Sequence, residues 1–357
     1  MTLCNDCEVL PTPLPETGVL YLSPPLQHTL TGLRKFLAKN GFSTLEPYAG
    51  VLAIPYKTGD LKLLSSGLAE SFSDAEIQDT KSLILNQGQQ PTLQELIQMQ
   101  PLSTLFSKAE GAWLVDMLRE NRVFTDFQPI VECRRTDQVF AYECLLRGRQ
   151  ADGKVVSPKL MFDAARSSSL LFYLDRTARQ TAIHSVSQHG LRSRVFINFN
   201  PSSIYDPAYC LLTTFKAIKA AGIAPQNIVF EVVESDEIKD PDQLVKILAV
   251  YRENGFGVAL DDLGSGYSSL NMLTRLKPDF IKLDIHLVRD VDRDPYKAVI
   301  ARRLLEMAQD LGIKTVAEGI ETESEWQWVK QHGVDYVQGY LFAKPGSPPP
   351  TPRAFAE

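Results

Sequence analysis

Three observations predict the fold class: short β-branched or aromatic runs alternating with long helical patterns from Phe124 onward, a hairpin-like start to that series, and a length of 357 residues. They point to an α/β protein built as a modified TIM-type (β/α)8 barrel with one antiparallel strand, preceded by a small α+β N-terminal domain. Candidate barrel strands are 124–130, 139–146, 195–199, 228–232, 257–260, 280–283, 314–317 and 336–337. Most are separated by enough chain for a crossover helix, as at 240–253 and 296–311. Only a short Arg-Arg-Thr-Asp-Gln stretch separates the first two, so they read as a hairpin and supply the antiparallel strand.

Ahead of the barrel, residues 1–18 are rich in Pro, Thr and Glu and read as an irregular arm. Residues 19–90 read as the small α+β domain in a βαββαβ order: a strand at 18–22, a helix at 26–40 with Leu30, Leu33 and Leu37 on one face, strands at 43–45 and 51–55, a helix at 60–70 and a strand at 81–85. No residue cluster there suggests chemistry, which leaves sensing, docking, dimerisation or a structural role. Residues 91–121 read as two connecting helices, 92–106 and 110–121. The second carries Trp113, Leu114, Met117 and Leu118 at helical spacing. The barrel takes 122–346, and 347–357 is a C-terminal tail.

Hydrophobic content of 44% with 22% charged residues is that of a chain with a full core, which excludes disorder as the default. A net charge of -6 supplies no general basic footprint for long nucleic acid. No apolar run approaches the ~18 residues of a membrane span, and the start lacks a secretion signal, so the expectation is a soluble cytoplasmic protein. Five scattered cysteines argue against a disulfide framework. Cys4 and Cys7 form one C-x-x-C without a second pair, which favours a loose terminus over a metal site.

Polar residues close the predicted strands. They are Glu143, Asn198, Glu231, the doublet Asp261-Asp262, Lys282, Glu318 and Gln338. Carboxyl ends of parallel barrel strands converge on one face, so these residues can share a site. Taken singly, each carboxylate could be a cap or a solvated group, and the doublet an acidic loop. Together they form an oxygen-rich set suited to hard divalent cations such as Mg²⁺ or Mn²⁺. No histidine pair has H-x-x-x-H spacing, which argues against zinc hydrolase chemistry. More carboxylate than one ion needs suggests two metals clamping an in-line phosphodiester hydrolysis. Lys282 is either an ion-pair partner or a donor to the attacking water and leaving oxygen. Arg147 can fork onto a phosphate.

These residues sit in ordered motifs: Phe127-Gln128-Pro129-Ile130-Val131, Tyr142-Glu143-Cys144-Leu145-Leu146-Arg147, Ile197-Asn198-Phe199-Asn200, Phe230-Glu231-Val232-Val233-Glu234-Ser235 and Asp261-Asp262-Leu263-Gly264-Ser265-Gly266-Tyr267-Ser268-Ser269-Leu270. Lys282-Leu283-Asp284, Ala317-Glu318-Gly319-Ile320-Glu321 and Gln338-Gly339-Tyr340-Leu341-Phe342-Ala343-Lys344-Pro345 follow. The segment resembles the EAL-domain family of cyclic di-GMP phosphodiesterases. The resemblance implies that Glu143, Asn198, Glu231, Asp261 and Glu318 ligate Mg²⁺ or Mn²⁺, with Asp262 bridging two ions or binding the second. It implies that Lys282 orients the attacking water, that Glu143, Asp262 and Glu234 support catalysis, and that Glu234 steadies the 263–270 loop. Arg147, Gln338, Leu146 and Asp284 then fall on the substrate side.

Three departures stand out. Cys144 replaces the alanine of Glu-Ala-Leu, Leu263 and Ser265 alter the usual Asp-Asp-Phe-Gly-Thr-Gly loop, and Val233 replaces a common threonine. The implied activity is metal-dependent opening of cyclic di-GMP to pGpG in bacterial second-messenger signalling by a homodimer. A signalling partner would act through the N-terminal domain. The alternative is a catalytically silent cyclic di-GMP receptor. No Gly-Gly-Asp-Glu-Phe stretch supports a cyclase in the same chain.

Overall fold

The computed structural model describes residues 10–204, 206–233, 241–264 and 269–355. Cys4, Cys7, Glu234 and loop residues Ser265 to Ser268 lie outside the described residues. The chain divides into two compact units, one of Val9–Asn121 with Lys159–Leu171 and the other including Arg122–Pro158 and Phe172–Glu357. No helix among the described residues is long and apolar enough to cross a membrane.

The N-terminal unit is an antiparallel sheet of β1 (Thr17–Ser23), β2 (Leu45–Tyr48), β3 (Val51–Lys57), β4 (Lys81–Asn86) and β5 (Gln100–Pro101), in the order β2-β3-β1-β4-β5. Alternation along β1 sends Leu20 and Leu22 to one face, where they pack with Leu30, Leu33 and Leu37 of the helix Gln27–Lys39. Tyr21 faces the other way, against Ala53 and Leu85. The helix expected at 92–106 is instead interrupted. A Thr92/Glu95 capping box starts Leu93–Ile97, but Pro101 cannot donate within a helix, and Gln100–Pro101 pairs with β4 before Leu102–Glu110 begins.

In the second unit β6 (Val123–Glu132), β7 (Arg135–Arg149), β9 (Arg194–Asn198), β10 (Ile228–Val233), β11 (Gly257–Leu263), β12 (Phe280–Leu283), β13 (Lys314–Ala317) and β14 (Tyr336–Val337) close into an eight-stranded barrel among the described residues. A short β8 (Val155–Val156) is added to the edge of β7. Strand β6 is the antiparallel member, paired against both β7 and β14. The predicted hairpin is tighter than the sequence suggested, because Glu132 and Arg135 already pair across a Cys133-Arg134 turn. Strand β7 runs on to Arg149, so Glu143 lies within a strand and not at its end.

Inward-facing side chains stack in layers, as alternation along the strands requires. One layer is apolar: Ile130, Ala141, Phe196, Val229, Ala259, Phe280 and Val316, with Phe140 and Tyr336 against it. Two residues along each strand from this plug lie Gln128, Glu143, Asn198, Glu231, Asp261, Lys282, Glu318 and Gln338.

Buried polar contacts fix the loops around this second layer. Asp175 accepts the Asn200 N–H at 2.7 Å and the Ser203 hydroxyl at 2.6 Å, and is paired with fully buried Arg179, which pins the chain leaving Asn198. Toward the other end of the barrel, at the β6–β7 turn, Trp326, 1% exposed, donates its indole N–H to the Cys133 carbonyl at 2.9 Å and packs on Phe342 and Phe355. Removing this ring opens a cavity and strands a carbonyl. Trp326→Ala should lower unfolding free energy by about 3–5 kcal/mol in a denaturant titration.

Candidate metal and phosphodiester site

Four carboxylates surround one amine in the second layer. Lys282 Nζ lies 2.7 Å from Glu318, 2.9 Å from Glu231, 3.1 Å from Asp261 and 3.6 Å from Glu143. Lys282 and Glu231 are both fully buried. The distances are those of ion pairs, yet Nζ makes no well-angled hydrogen bond and neither Glu231 oxygen receives one. Burial opposes the Lys282 charge, but Asp261, Glu143, Glu231 and Glu318 outweigh it and hold its pKa well above normal. Burial also pushes Glu231, Glu318 and Asp261 upward, with Lys282 pulling the other way.

Neighbouring strands hold the rest of the set. Asn198 donates Nδ2 to Glu143 Oε1 at 3.3 Å, and Gln338 donates Nε2 to Glu143 Oε2 at 2.6 Å. Two backbone devices place these ends. Consecutive residues of a regular strand point to opposite faces, so Asp261 and Asp262 could not ordinarily share a site. Strand β11 breaks register between Leu260 and Leu263, and Asp262 takes φ +57°, a left-handed conformation that aspartate tolerates better than most residues. Beyond Gln338, Gly339 lies so close to Ile320 that a Cβ would fall 2.0 Å from its carbonyl oxygen.

Ligand atoms of Glu143, Glu231 and Asp261 lie within 4.8 Å of one another, as do those of Asp261, Asp262 and Glu318. Asp261 belongs to both groups, and Asp262, expected either to bridge two ions or to bind the second, belongs to one of them. The donors are all oxygen, and the buried Glu231 oxygens and Gln338 Oε1 lack aligned donors, so the residues fit a pair of hard divalent cations. Burial and the charges of Asp261 and Asp284 push the Asp262 carboxyl up to about 7.

The substrate-side residues are placed differently from one another. Arg147 is half-buried, its Nε paired with Asp126 at 2.9 Å and one terminal nitrogen donating to the Leu146 carbonyl at 2.9 Å. Leu146 itself is buried. Asp284 caps the helix Ile285–Val288 by accepting the His286 N–H at 2.7 Å. Gln338 is 3% exposed and contacts Glu143 and Gln128.

Sequence reasoning missed Asp126 and Gln128 as site residues. Extrapolating from the Glu132/Arg135 pair, whose numbers sum to 267, would set Gln128 opposite Val139. Two register shifts in the hairpin bring it opposite Glu143 instead. A cavity of about 970 Å³ opens at the other end of the barrel beside Arg194, Phe280, Lys314 and Tyr336. Its described lining carries a single carboxylate, Asp279, so the chemistry is assigned to the Lys282 end, where several converge and where barrel enzymes place theirs.

The EAL domain family profile matches residues 112–345. Probable cyclic di-GMP phosphodiesterase PdeG of Escherichia coli K12 is 35% identical over 228 residues, covering 61% of this chain and 44% of PdeG. The chain thus spans less than half the length of that curated relative. A standalone EAL protein from Vibrio cholerae O395, solved bound to c-di-GMP, is 35% identical with a TM-score of 0.58, covering 65% of this chain and 95% of that one. Klebsiella pneumoniae BlrP1, in a manganese/cy-diGMP complex, is 26% identical with a TM-score of 0.56, covering 92% of this chain and 96% of that one.

The raised Asp262 pKa makes a signed prediction for the metal-free protein. A carboxyl raised from 3.8 to about 7 contributes stability that is fully present below the lower value and lost as pH climbs through the higher one. Thermal unfolding in EDTA should show the wild type weakening between pH 5 and 7, and Asp262→Asn weakening less. Identical pH slopes for the two proteins would sink this assignment.

Proposed function

The chain belongs to the EAL-domain family, and on that premise we propose that its barrel hydrolyses cyclic di-GMP to linear pGpG with Mg²⁺ or Mn²⁺, in two-metal fashion. The observation that carries this reading is the complete set of oxygen donors around Lys282, in two carboxylate groups that share Asp261. Names of similar proteins support the substrate: PdeG is called a probable cyclic di-GMP phosphodiesterase, and the Vibrio cholerae and BlrP1 structures contain the dinucleotide.

Glu143, Asn198, Glu231, Asp261, Asp262 and Glu318 would hold the cations. When bound, divalent cations lower the pKa of water and neutralise charge on a phosphodiester. The protein's own groups divide the remaining work. Lys282 keeps its proton because four carboxylates surround it, so it serves as a donor to the water and the leaving oxygen and not as a base. Arg147, held at Nε by Asp126, offers its other N–H groups to a phosphate. Water oxygen bonds to phosphorus, the bond from phosphorus to the ribose 3′ oxygen breaks, and that oxygen ends with a proton. A homodimer, and a partner acting through the N-terminal unit, belong to the same reading.

Incubating the protein with cyclic di-GMP and Mn²⁺, then separating the nucleotides, should yield pGpG, and EDTA should stop it reversibly. Tight binding without turnover would replace the enzyme by a silent receptor. Lys282→Ala should lower kcat by about 10²–10³-fold while KM stays near the wild-type value. Equal losses in binding and turnover would refute the donor role.

A further inference from the structure

The inward-facing amides of Gln128 and Gln338 form a relay whose direction is set from outside the metal site. Segment 343–346 is clamped to β6, because Phe127 and Gly346 exchange backbone hydrogen bonds of 2.8 and 3.0 Å. The Ala343 carbonyl is therefore a fixed acceptor beside Gln128, whose Nε2 donates to it at 3.3 Å. A carbonyl cannot donate, so Gln128 must turn its NH₂ outward and its Oε1 inward. That oxygen in turn requires a donor, and Gln338 Nε2 supplies it at 3.0 Å. The same Nε2 carries a second hydrogen to Glu143 Oε2 at 2.6 Å. Gln338 Oε1 is left buried with no donor.

We infer that Gln128 is a positioning residue: it locks the amide direction of Gln338, so that Glu143 Oε2 always meets an N–H and never a carbonyl oxygen. Asn198 holds the other Glu143 oxygen at 3.3 Å. The carboxylate is thereby fixed in orientation beside Glu231 and Asp261. Without Gln128, Gln338 can flip and set Oε1 against Glu143 Oε2, two acceptors in contact. Gln128 is 8% exposed and makes no contact with the open mouth through any other polar group among the described contacts. Gln338 stands one step behind a ligand, and partners so placed typically change metal affinity by 10–100-fold, an effect Gln128 controls through it.

This inference rests on the metal site of the proposed function, and its test reads metal binding directly. Mn²⁺ is titrated into the full-length wild type, Gln128→Met, Gln338→Ala and the double variant, with Kd followed by calorimetry and thermal unfolding as a check on folding. Each single variant should bind Mn²⁺ about tenfold more weakly, and the double variant no more weakly than either. In Gln128→Met turnover should fall through kcat with KM for cyclic di-GMP unchanged. If Gln128→Met fails to fold, Gln128→Asn keeps the amide but cannot reach both partners, and should show the same loss. A Kd within twofold of wild type, or single losses that multiply in the double variant, would overturn the relay while leaving the metal site standing. A wild type that binds no Mn²⁺ would overturn both.

Discussion

Four acidic side chains share the interior of this barrel with one amine, and the local structure follows from keeping that charge cluster together. Glu143, Glu231 and Asp261 approach Lys282 from three other strands, and Glu318 from the residue just past β13. Each ion loses several kcal/mol of hydration on burial, and only mutual attraction in a weakly screened interior repays it. Removing any one partner would leave an uncompensated buried charge, so the strands carrying them must hold register with one another. The same arrangement keeps the carboxylates in a geometry that cations can enter, with Lys282 as the internal charge that stands among them.

The barrel reaches this arrangement by repetition. An apolar plug fills one layer, and the polar set occupies the next, two residues further along. On the parallel strands that step runs toward the carboxyl end. On β6 it runs the other way, which is why Gln128 precedes Ile130 in sequence yet reaches the same height. Aspartates at consecutive positions would break the pattern, and the bulge at Asp261-Asp262 restores it by re-aiming one side chain.

Fixed loops surround the cluster. Buried Asp175 and Arg179 anchor the chain after Asn198, Asp284 caps the short helix beyond Lys282, and Gly339 lets the backbone past Gln338 press against Ile320. Asp284 has a second effect, since its charge helps raise the Asp262 carboxyl. A cap that shapes a loop and a charge that tunes a ligand are here the same carboxylate.

Much of this was legible in the chain itself. Strand periodicity and the polar residues closing each run marked the barrel and brought Glu143, Asn198, Glu231, Asp261, Asp262, Lys282, Glu318 and Gln338 to notice, because alternation and strand polarity are local properties. The helix expected at 92–106 failed where Pro101 and the pairing with β4 overrode helical spacing. Asp126 and Gln128 escaped because their partners depend on a hairpin register that two bulges shift by four residues in sum. The sequence by itself determined most of the groups that face the barrel interior, because strand alternation is local. Tertiary structure alone decided which of them touch: Asp261 as the shared carboxylate, Asp126 on Arg147, and Gln128 behind Gln338. Those contacts follow from register, bulges and barrel closure, which are set by packing between strands far apart in sequence.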